Sequence, residues 1–341
     1  MSDNIQDPIV CKERSLANLC LGSGLHVLII ATNTCYDPSV ARLRCAEHDG
    51  TSIRNAFSQY PWNVPPHQIT LLIGKEATCS NIRVWFQQIK SQEKIGPQDA
   101  VIIYFAGHSR LFQLDVLGQQ AYMSALCMYP TSRTKVNEDE NGANQKDILY
   151  SIEVNFLIKS LHHRTRNITV ILDTCHASCG TQGPISPLET GLQFLRIPLA
   201  KRLRCMTSRQ IARVPEIDID DVLRPINHRY QSNLSPMELE VDTTHTLLAS
   251  CHWNEGSWEG SRNGIFTAAL ITVLKSPTVR TISTATALAH AIRSEMDQPH
   301  PRQNPQCGGE NSASPLFGGY RLIPVPFDGD GSDAKGKALC C

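Results

Sequence analysis

Apolar residues along this chain gather in short unbroken runs, and polar, turn-forming stretches separate them. Leu25–Ala31 (LHVLIIA), Gln68–Ile73 (QITLLI), Ala100–Ala106 (AVIIYFA), Ile168–Leu172 (ITVIL) and His245–Cys251 (HTLLASC) are rich in β-branched and aliphatic side chains. Runs of this length and composition read as strands buried on both faces of a parallel sheet. Between them the apolar spacing changes to that of a helix. Arg44–Tyr60 carries Ala46, Ile53, Ala56 and Phe57 on one side, and Pro61, Pro65 and Pro66 stop it. Thr78–Ser91 repeats the pattern with Ile82, Trp85, Phe86 and Ile89, and Tyr150–His163 with Ile152, Phe156, Leu157 and Leu161. Asn263–Leu274 and Ser283–Arg293 add two more helices, the second with Ser283 as N-cap. Strand and helix alternate, so the expectation is an α/β fold: a mostly parallel central sheet with helices on both faces.

Other stretches are less legible. Within Leu111–Met128 only Tyr122–Met128 reads as a short strand. Asn137–Asn144 (NEDENGAN) is a polar loop. Gly180–Thr243, rich in Pro and Arg, has no period and reads as an extended loop with one helix. Asn304–Leu316 reads as irregular, and Tyr320–Val325 as an edge strand closed by Pro324 and Pro326. The organisation expected is a flexible N-terminal segment (1–24), one domain (25–325) and a polar tail (326–341).

Two of the buried runs end in chemistry. Ile168–Leu172 stops at Asp173, followed by Thr174, Cys175 and His176; Ala100–Ala106 is followed by Gly107, His108 and Ser109. Open α/β sheets place their sites beyond the carboxyl ends of strands. A thiol beside an imidazole is a nucleophile near neutral pH, and acyl transfer also needs an acid for the leaving amine and amide donors for the oxyanion. Cys175 and His108 are candidates for nucleophile and acid–base, and the backbone amides of Ser109 and Cys175 for the oxyanion hole. Read alone, Cys175 is a buried core thiol, the commonest fate of a cysteine, and His108 a loop histidine bonded to a carbonyl; their shared place just past buried strands is what favours the chemistry.

Composition narrows the classes. Lys plus Arg and Asp plus Glu each number 32, so no net field favours nucleic acid or an anionic membrane. The 13 cysteines are scattered without CxxC spacing, no run approaches the ~20 apolar residues of a membrane span, and Met1–Val10 lacks a signal pattern. The expectation is a reduced, cytoplasmic protein.

The segments YFAGHS and ILDTCHAS resemble the histidine and cysteine motifs of metacaspases. LRCAEHDG resembles the segment opening their first helix. HTLLASCHWNEGSWEG with NGIFTAAL, and NPQCGGENSASPLF, are similar to late segments of fungal caspase-domain proteins. The resemblance spans roughly residues 25–325 and implies a caspase-like fold and a clan CD, family C14 cysteine endopeptidase with a His108–Cys175 dyad. It further implies protein or peptide substrates with Arg or Lys at the scissile position, received by Asp173 and Asp49. Each of these carboxylates has a plainer reading as a cap of a loop or helix. Metacaspases often bind calcium through acidic loop residues, and Glu138, Asp139 and Glu140 are the nearby acids, so the metal ligands stay unassigned. The resemblance also favours a monomer.

The chain departs from the family pattern at four residues, Ser109 for a glycine, Ala106 for a pocket serine and Ala177-Ser178 for a Ser-Gly pair, and LCMYPTS lacks the proline–aspartate pair expected after the middle strand. They leave two rivals open, a catalytically weak caspase-fold scaffold and another Cys–His amidase. Trp253 and Trp258 border the cleft or simply pack. The basic residues Arg196, Lys201, Arg202, Arg204, Arg209 and Arg213 mark an exposed loop open to self-cleavage.

Overall fold

The computed structural model describes residues 24–37, 40–91, 95–116, 119–131, 147–175, 177, 216–235, 244–252, 255–296 and 303–319. The expected loop at Asn137–Asn144, the edge strand at Tyr320–Val325, the basic stretch 196–213 and the segments 1–23 and 326–341 lie outside these residues.

In chain order the first elements are β1 (Leu25–Ala31), α1 (Ala46–Ser58), β2 (Ile69–Ile73), α2 (Cys79–Ser91), β3 (Ala100–Ala106), β4 (Ser109–Val116) and β5 (Gln119–Cys127). There follow β6 (Ile148–Tyr150), α3 (Ser151–Lys159), β7 (Asn167–Asp173), β8 (Glu216–Asp218) and α4 (Ile219–Tyr230). The last are β9 (Thr246–Ala249), α5 (Ile265–Lys275), α6 (Ala285–Glu295) and β10 (Gln306–Gly308). A six-stranded sheet has the order β10-β9-β7-β3-β1-β2, parallel except for the antiparallel edge strand β10.

Helices cover both faces of this sheet. Val27, Ile29, Ile102, Tyr104 and Ile171 pack beneath α1, α5 and α6; Leu28, Ile30, Val101, Ile103, Val170 and Leu172 pack beneath α2 and α3. Strands β1, β3 and β7 therefore have no solvent face, which is why unbroken apolar runs encode them. Each buried aliphatic side chain contributes about 1.5–3 kcal/mol relative to exposure, so these three strands dominate the core. One close approach seats α1 on the sheet. A Cβ on Gly50 would lie 2.7 Å from the Cβ of Ala31, so no larger residue fits there without moving the helix.

A second, four-stranded sheet has the order β6-β5-β4-β8. Strands β4 and β5 form an antiparallel hairpin, so Leu111–Met128 holds two strands where the sequence showed one. Phe112, Leu114, Ala121, Met123 and Ala125 make one face apolar, and Ile219, Val222, Leu223 and Ile226 of α4 cover it. The strand β4 was hard to read because the buried Arg110 stands at its start and Gln113 and Asp115 interrupt its apolar residues. Two smaller expectations change. The N-cap of α6 is Thr284, whose side chain accepts from Ala287 N–H, rather than Ser283. The irregular Asn304–Leu316 contributes β10, which pairs with β9 through three residues.

Candidate active site

Strand register brings the two predicted residues to one edge. Ala106 of β3 pairs with Asp173 of β7. His108 and Cys175 each follow that pair by two residues, so adjacent parallel strands deliver them side by side at the carboxyl end of the sheet. Gly107 makes the exit of β3 possible, because a Cβ there would meet the Phe105 ring at 2.8 Å. Both residues are buried: His108 is 2% exposed and Cys175 fully enclosed.

The imidazole is held from the loop that follows β1. His108 Nε2 bonds the Ala41 carbonyl at 2.9 Å. A carbonyl only accepts, so Nε2 carries the proton and Nδ1 is left as the basic nitrogen. The loop is itself anchored. Thr32 N–H donates to Ala106 O at 3.0 Å, and Asn33 and Glu47 exchange bonds between backbone amides and side-chain oxygens at 3.1 Å. Ala41 acts only through its backbone, so nothing in its side chain announces the role.

Around Cys175, the Ser257 amide donates to Sγ at 3.3 Å, and the Ser109 hydroxyl donates to the Cys175 carbonyl. Cys127 N–H donates to His108 O at 3.0 Å. That bond makes Ser109 and Leu126 a non-hydrogen-bonded pair of the β4–β5 ladder and turns the Ser109 amide away from β5. Beneath the nucleophile, Cys251 donates from Sγ to Thr174 O at 3.3 Å. Burial pushes its thiol well above the usual range, and the neighbouring Cys175 acts in the same direction. Cys251 packs beneath Cys175 as part of the buried core.

Asp173 is fully buried, at the centre of a chain of hydroxyls. Ser257 Oγ donates to its Oδ1 at 2.5 Å, and Thr267 Oγ1 to its Oδ2 at 2.6 Å. Thr267 has one proton, which goes to Asp173, so the Tyr104 hydroxyl at 2.6 Å is the donor to Thr267. Gln303 Nε2 donates to Ser257 Oγ at 3.1 Å in the same way. Two relays of neutral donors thus end on one carboxylate.

Asp49 is buried as well and accepts from Gly264 N–H at 2.9 and 3.1 Å and from Asn263 Nδ2 at 2.8 Å. Gly264 is the N-cap of α5, and Thr267 lies in its first turn, so both predicted carboxylates converge on the positive end of one helix. The grip is reciprocal. Glu259, on the loop between β9 and α5, accepts from Cys45 N–H at 2.7 Å and Arg44 N–H at 3.0 Å, just ahead of α1. Asp49 of α1 holds the start of α5, and Glu259 holds the start of α1. Together they close the loop that carries Ser257 over Cys175.

Sequence reasoning missed Ala41, Ser257, Thr267, Tyr104, Glu259 and Gln303. A signal existed only for Ser257 and Glu259, polar residues in EGSWEG directly after a buried strand. Trp258 donates its amide to Gln303 at 3.2 Å; Trp253, His176 and the acids Glu138, Asp139 and Glu140 lie outside the described residues. Among the described residues no three His, Cys, Asp or Glu side chains gather to hold a metal ion, and no helix is long and apolar enough to cross a membrane.

Among solved structures, the crystal structure of protein GSU0716 from Geobacter sulfurreducens aligns at 16% identity, over 83% of this chain and 92% of that one, with a TM-score of 0.48. Among curated proteins none matches this chain significantly. The Peptidase_C14 family model, the caspase domain, matches residues 25–316. That span runs from the first residue of β1 past β10 and includes His108, Cys175 and every residue placed around them above. This chain belongs to the caspase-domain family of cysteine peptidases.

Proposed function

We propose that this protein is a cysteine endopeptidase that cleaves after Arg or Lys, with Cys175 as nucleophile and His108 as acid–base. The observation that carries the reading is the Ala106–Asp173 pairing, which delivers both residues from adjacent strands, with the ring of His108 fixed by Ala41. His108 Nδ1 takes the thiol proton, and Sγ attacks the scissile carbonyl carbon. The Ser109 and Cys175 amides receive the oxyanion, and the proton then passes from His108 to the leaving amine. Water, deprotonated by the same imidazole, hydrolyses the thioester and frees the enzyme.

Asp173 and Asp49 are the carboxylates that meet the basic side chain. Asp173 is fully buried and its oxygens are held by neutral hydroxyls, which orient the carboxylate without neutralising its charge. A buried carboxylate gains most from a paired cation. The enzyme acts as a monomer, and its residues call for no cofactor; calcium enters this reading only through the resemblance to metacaspases. The test is titration with electrophiles ending in Arg or Asp, with and without calcium. The Arg reagent is expected to leave one covalent adduct on Cys175 and none on the Cys175→Ala protein. An adduct on another cysteine, or faster labelling by the Asp reagent, sinks the assignment.

The complete burial of Cys175 favours one second reading, a caspase-fold scaffold that binds peptides without turnover. Under it, Cys175 stays unlabelled by both reagents.

A further inference from the structure

The small sheet carries a buried cation that the dyad does not use. Arg110 of β4, Ala125 of β5 and Tyr150 of β6 stand in register across three strands, so their side chains share one face. Two strand spacings, about 10 Å, separate Arg110 from Tyr150, and the small Ala125 between them leaves a notch. Arg110 Nη1 donates to the Tyr36 hydroxyl at 2.5 Å, and its guanidinium lies 5.6 Å from the centre of the Phe112 ring. Among the described residues, the buried Arg110 Nε and Tyr150 hydroxyl have no hydrogen-bond partner. Arg110 is 7% exposed and Tyr150 4%. Two unmet polar groups enclosed on one face are costly, and an acceptor placed between them satisfies both.

That acceptor is an anion, because Nε belongs to a permanent cation. Its surroundings narrow the class. Phe112 and Met123 flank the notch on the same apolar face, which suits a carboxylate on an aliphatic stem better than a hydrated inorganic ion. The two acids whose fields reach Tyr150 are Asp221 and Glu153; Asp221 is already paired with Arg224 at 3.2 Å, and Glu153 with Arg83 at 2.8 Å and Arg229 at 2.7 Å. Position supplies the source. Arg110 is two residues from His108, at most about 7 Å along the strand, and Ser109 between them bonds the Cys175 carbonyl. Tyr36 belongs to the loop that holds His108 through Ala41.

We propose that Arg110, with the phenols of Tyr36 and Tyr150, forms a subsite that receives an acidic side chain of the peptide substrate. The proposal rests on the peptidase reading for its choice of ligand, since a chain passing the dyad brings its neighbouring side chains within reach of this notch. The substrates are then peptides of mixed charge, basic at the scissile residue and acidic nearby.

The test uses the full-length Cys175→Ala protein and calorimetric binding, so it does not require turnover. Peptides with Arg at the scissile position carry Glu, or Gln, at one of the neighbouring positions in turn. At one position Glu binds about tenfold tighter or better, as a charge-assisted bond to a buried guanidinium implies. Arg110→Met removes the difference between the two peptides. Tyr150→Phe, which deletes only an unpartnered hydroxyl, keeps the fold and narrows the difference, so the idea stays testable if Arg110→Met does not fold. Glu and Gln peptides that bind alike at every position overturn the subsite. So does a Glu preference that survives both substitutions. Sodium acetate is the other arm: if it stabilises the protein through Arg110 while no peptide shows a Glu preference, the notch takes free carboxylates and the substrate assignment falls. A Glu preference in binding by a protein that never cleaves leaves the subsite standing and removes the peptidase reading instead.

Discussion

Asp173→Asn separates the two duties of the central carboxylate. The substitution keeps the shape and replaces one oxygen by an NH2 group. That group must face either Ser257 Oγ or Thr267 Oγ1, both of which now donate. Whichever hydroxyl it meets already accepts from a neighbour, Gln303 or Tyr104. It can accept again only by leaving its own proton without a partner. An orphaned buried donor costs about 1–3 kcal/mol, and a bond to a charged group contributes about 1.5–3 kcal/mol. The net loss of stability is therefore about 2–4 kcal/mol, against a total of about 5–15 kcal/mol for a domain. The variant folds, with a denaturant midpoint clearly lowered and an unchanged slope. On substrates the loss adds to catalysis. Cleavage after Arg falls by about thirty- to several-hundredfold in kcat/KM, the equivalent of about 2–4 kcal/mol. Cleavage after a neutral residue of similar length falls about threefold or less, within about 0.7 kcal/mol. Equal losses on the two peptides would mark Asp173 as purely structural. A midpoint unmoved by the substitution would refute the hydroxyl relays. Thr267→Val in both backgrounds completes the check, with a coupling of about 1–2 kcal/mol between the two positions.

Cys175→Ala and His108→Ala are each expected to abolish peptide cleavage while the far-ultraviolet spectrum stays that of the wild type; activity within tenfold in either removes the dyad. Glu259→Gln keeps one oxygen for the amides of Arg44 and Cys45, but it loses the charge that strengthens those bonds and sets an NH2 group against the Arg44 amide at the second oxygen's place, so stability drops by about 1–3 kcal/mol. Cleavage after basic and neutral residues should fall in equal proportion, because the loop over Cys175 loosens for both; a selective loss on Arg would place Glu259 in the pocket. His26 should erode stability in mild acid. Burial lowers its pKa below 6.5, against the opposing pull of Asp99, so the unfolded chain takes up the proton first. Stability is complete above pH 6.5 and declines as pH falls toward the folded value, and His26→Gln should flatten that decline in urea titrations at successive pH values. Mass spectrometry after incubation with calcium should show wild-type chains cut after one or more of Arg196, Lys201, Arg202, Arg204, Arg209 and Arg213, with Cys175→Ala chains intact. Equal nicking of both would assign the cuts to another protease.

Much of this protein is written locally. Strands β1 and β3 run between the same residues in the sequence reading and in the fold, because a strand with helices on both sides needs an unbroken apolar run, and such a run is visible without a partner. The same logic exposed His108 and Cys175, since polarity that begins at the end of a buried strand marks the edge where an α/β sheet keeps its chemistry. Helix ends were less legible, and Thr284 rather than Ser283 caps α6 because adjacent hydroxyl residues are equivalent until the entry angle of the chain is known. The hairpin of β4 and β5 stayed hidden for a different reason: Arg110 lies inside it, and burial of a cation depends on partners from distant segments. Tertiary structure alone decided what surrounds the dyad. Ala41 works through its carbonyl, Ser257 and Thr267 reach Asp173 from 84 and 94 residues away, and Asp49 and Glu259 each cap a helix they do not belong to. Backbone groups carry no side-chain signature, and bonds across such separations leave no periodicity. Only the closing of the chain on itself brings them to one carboxylate and one thiol.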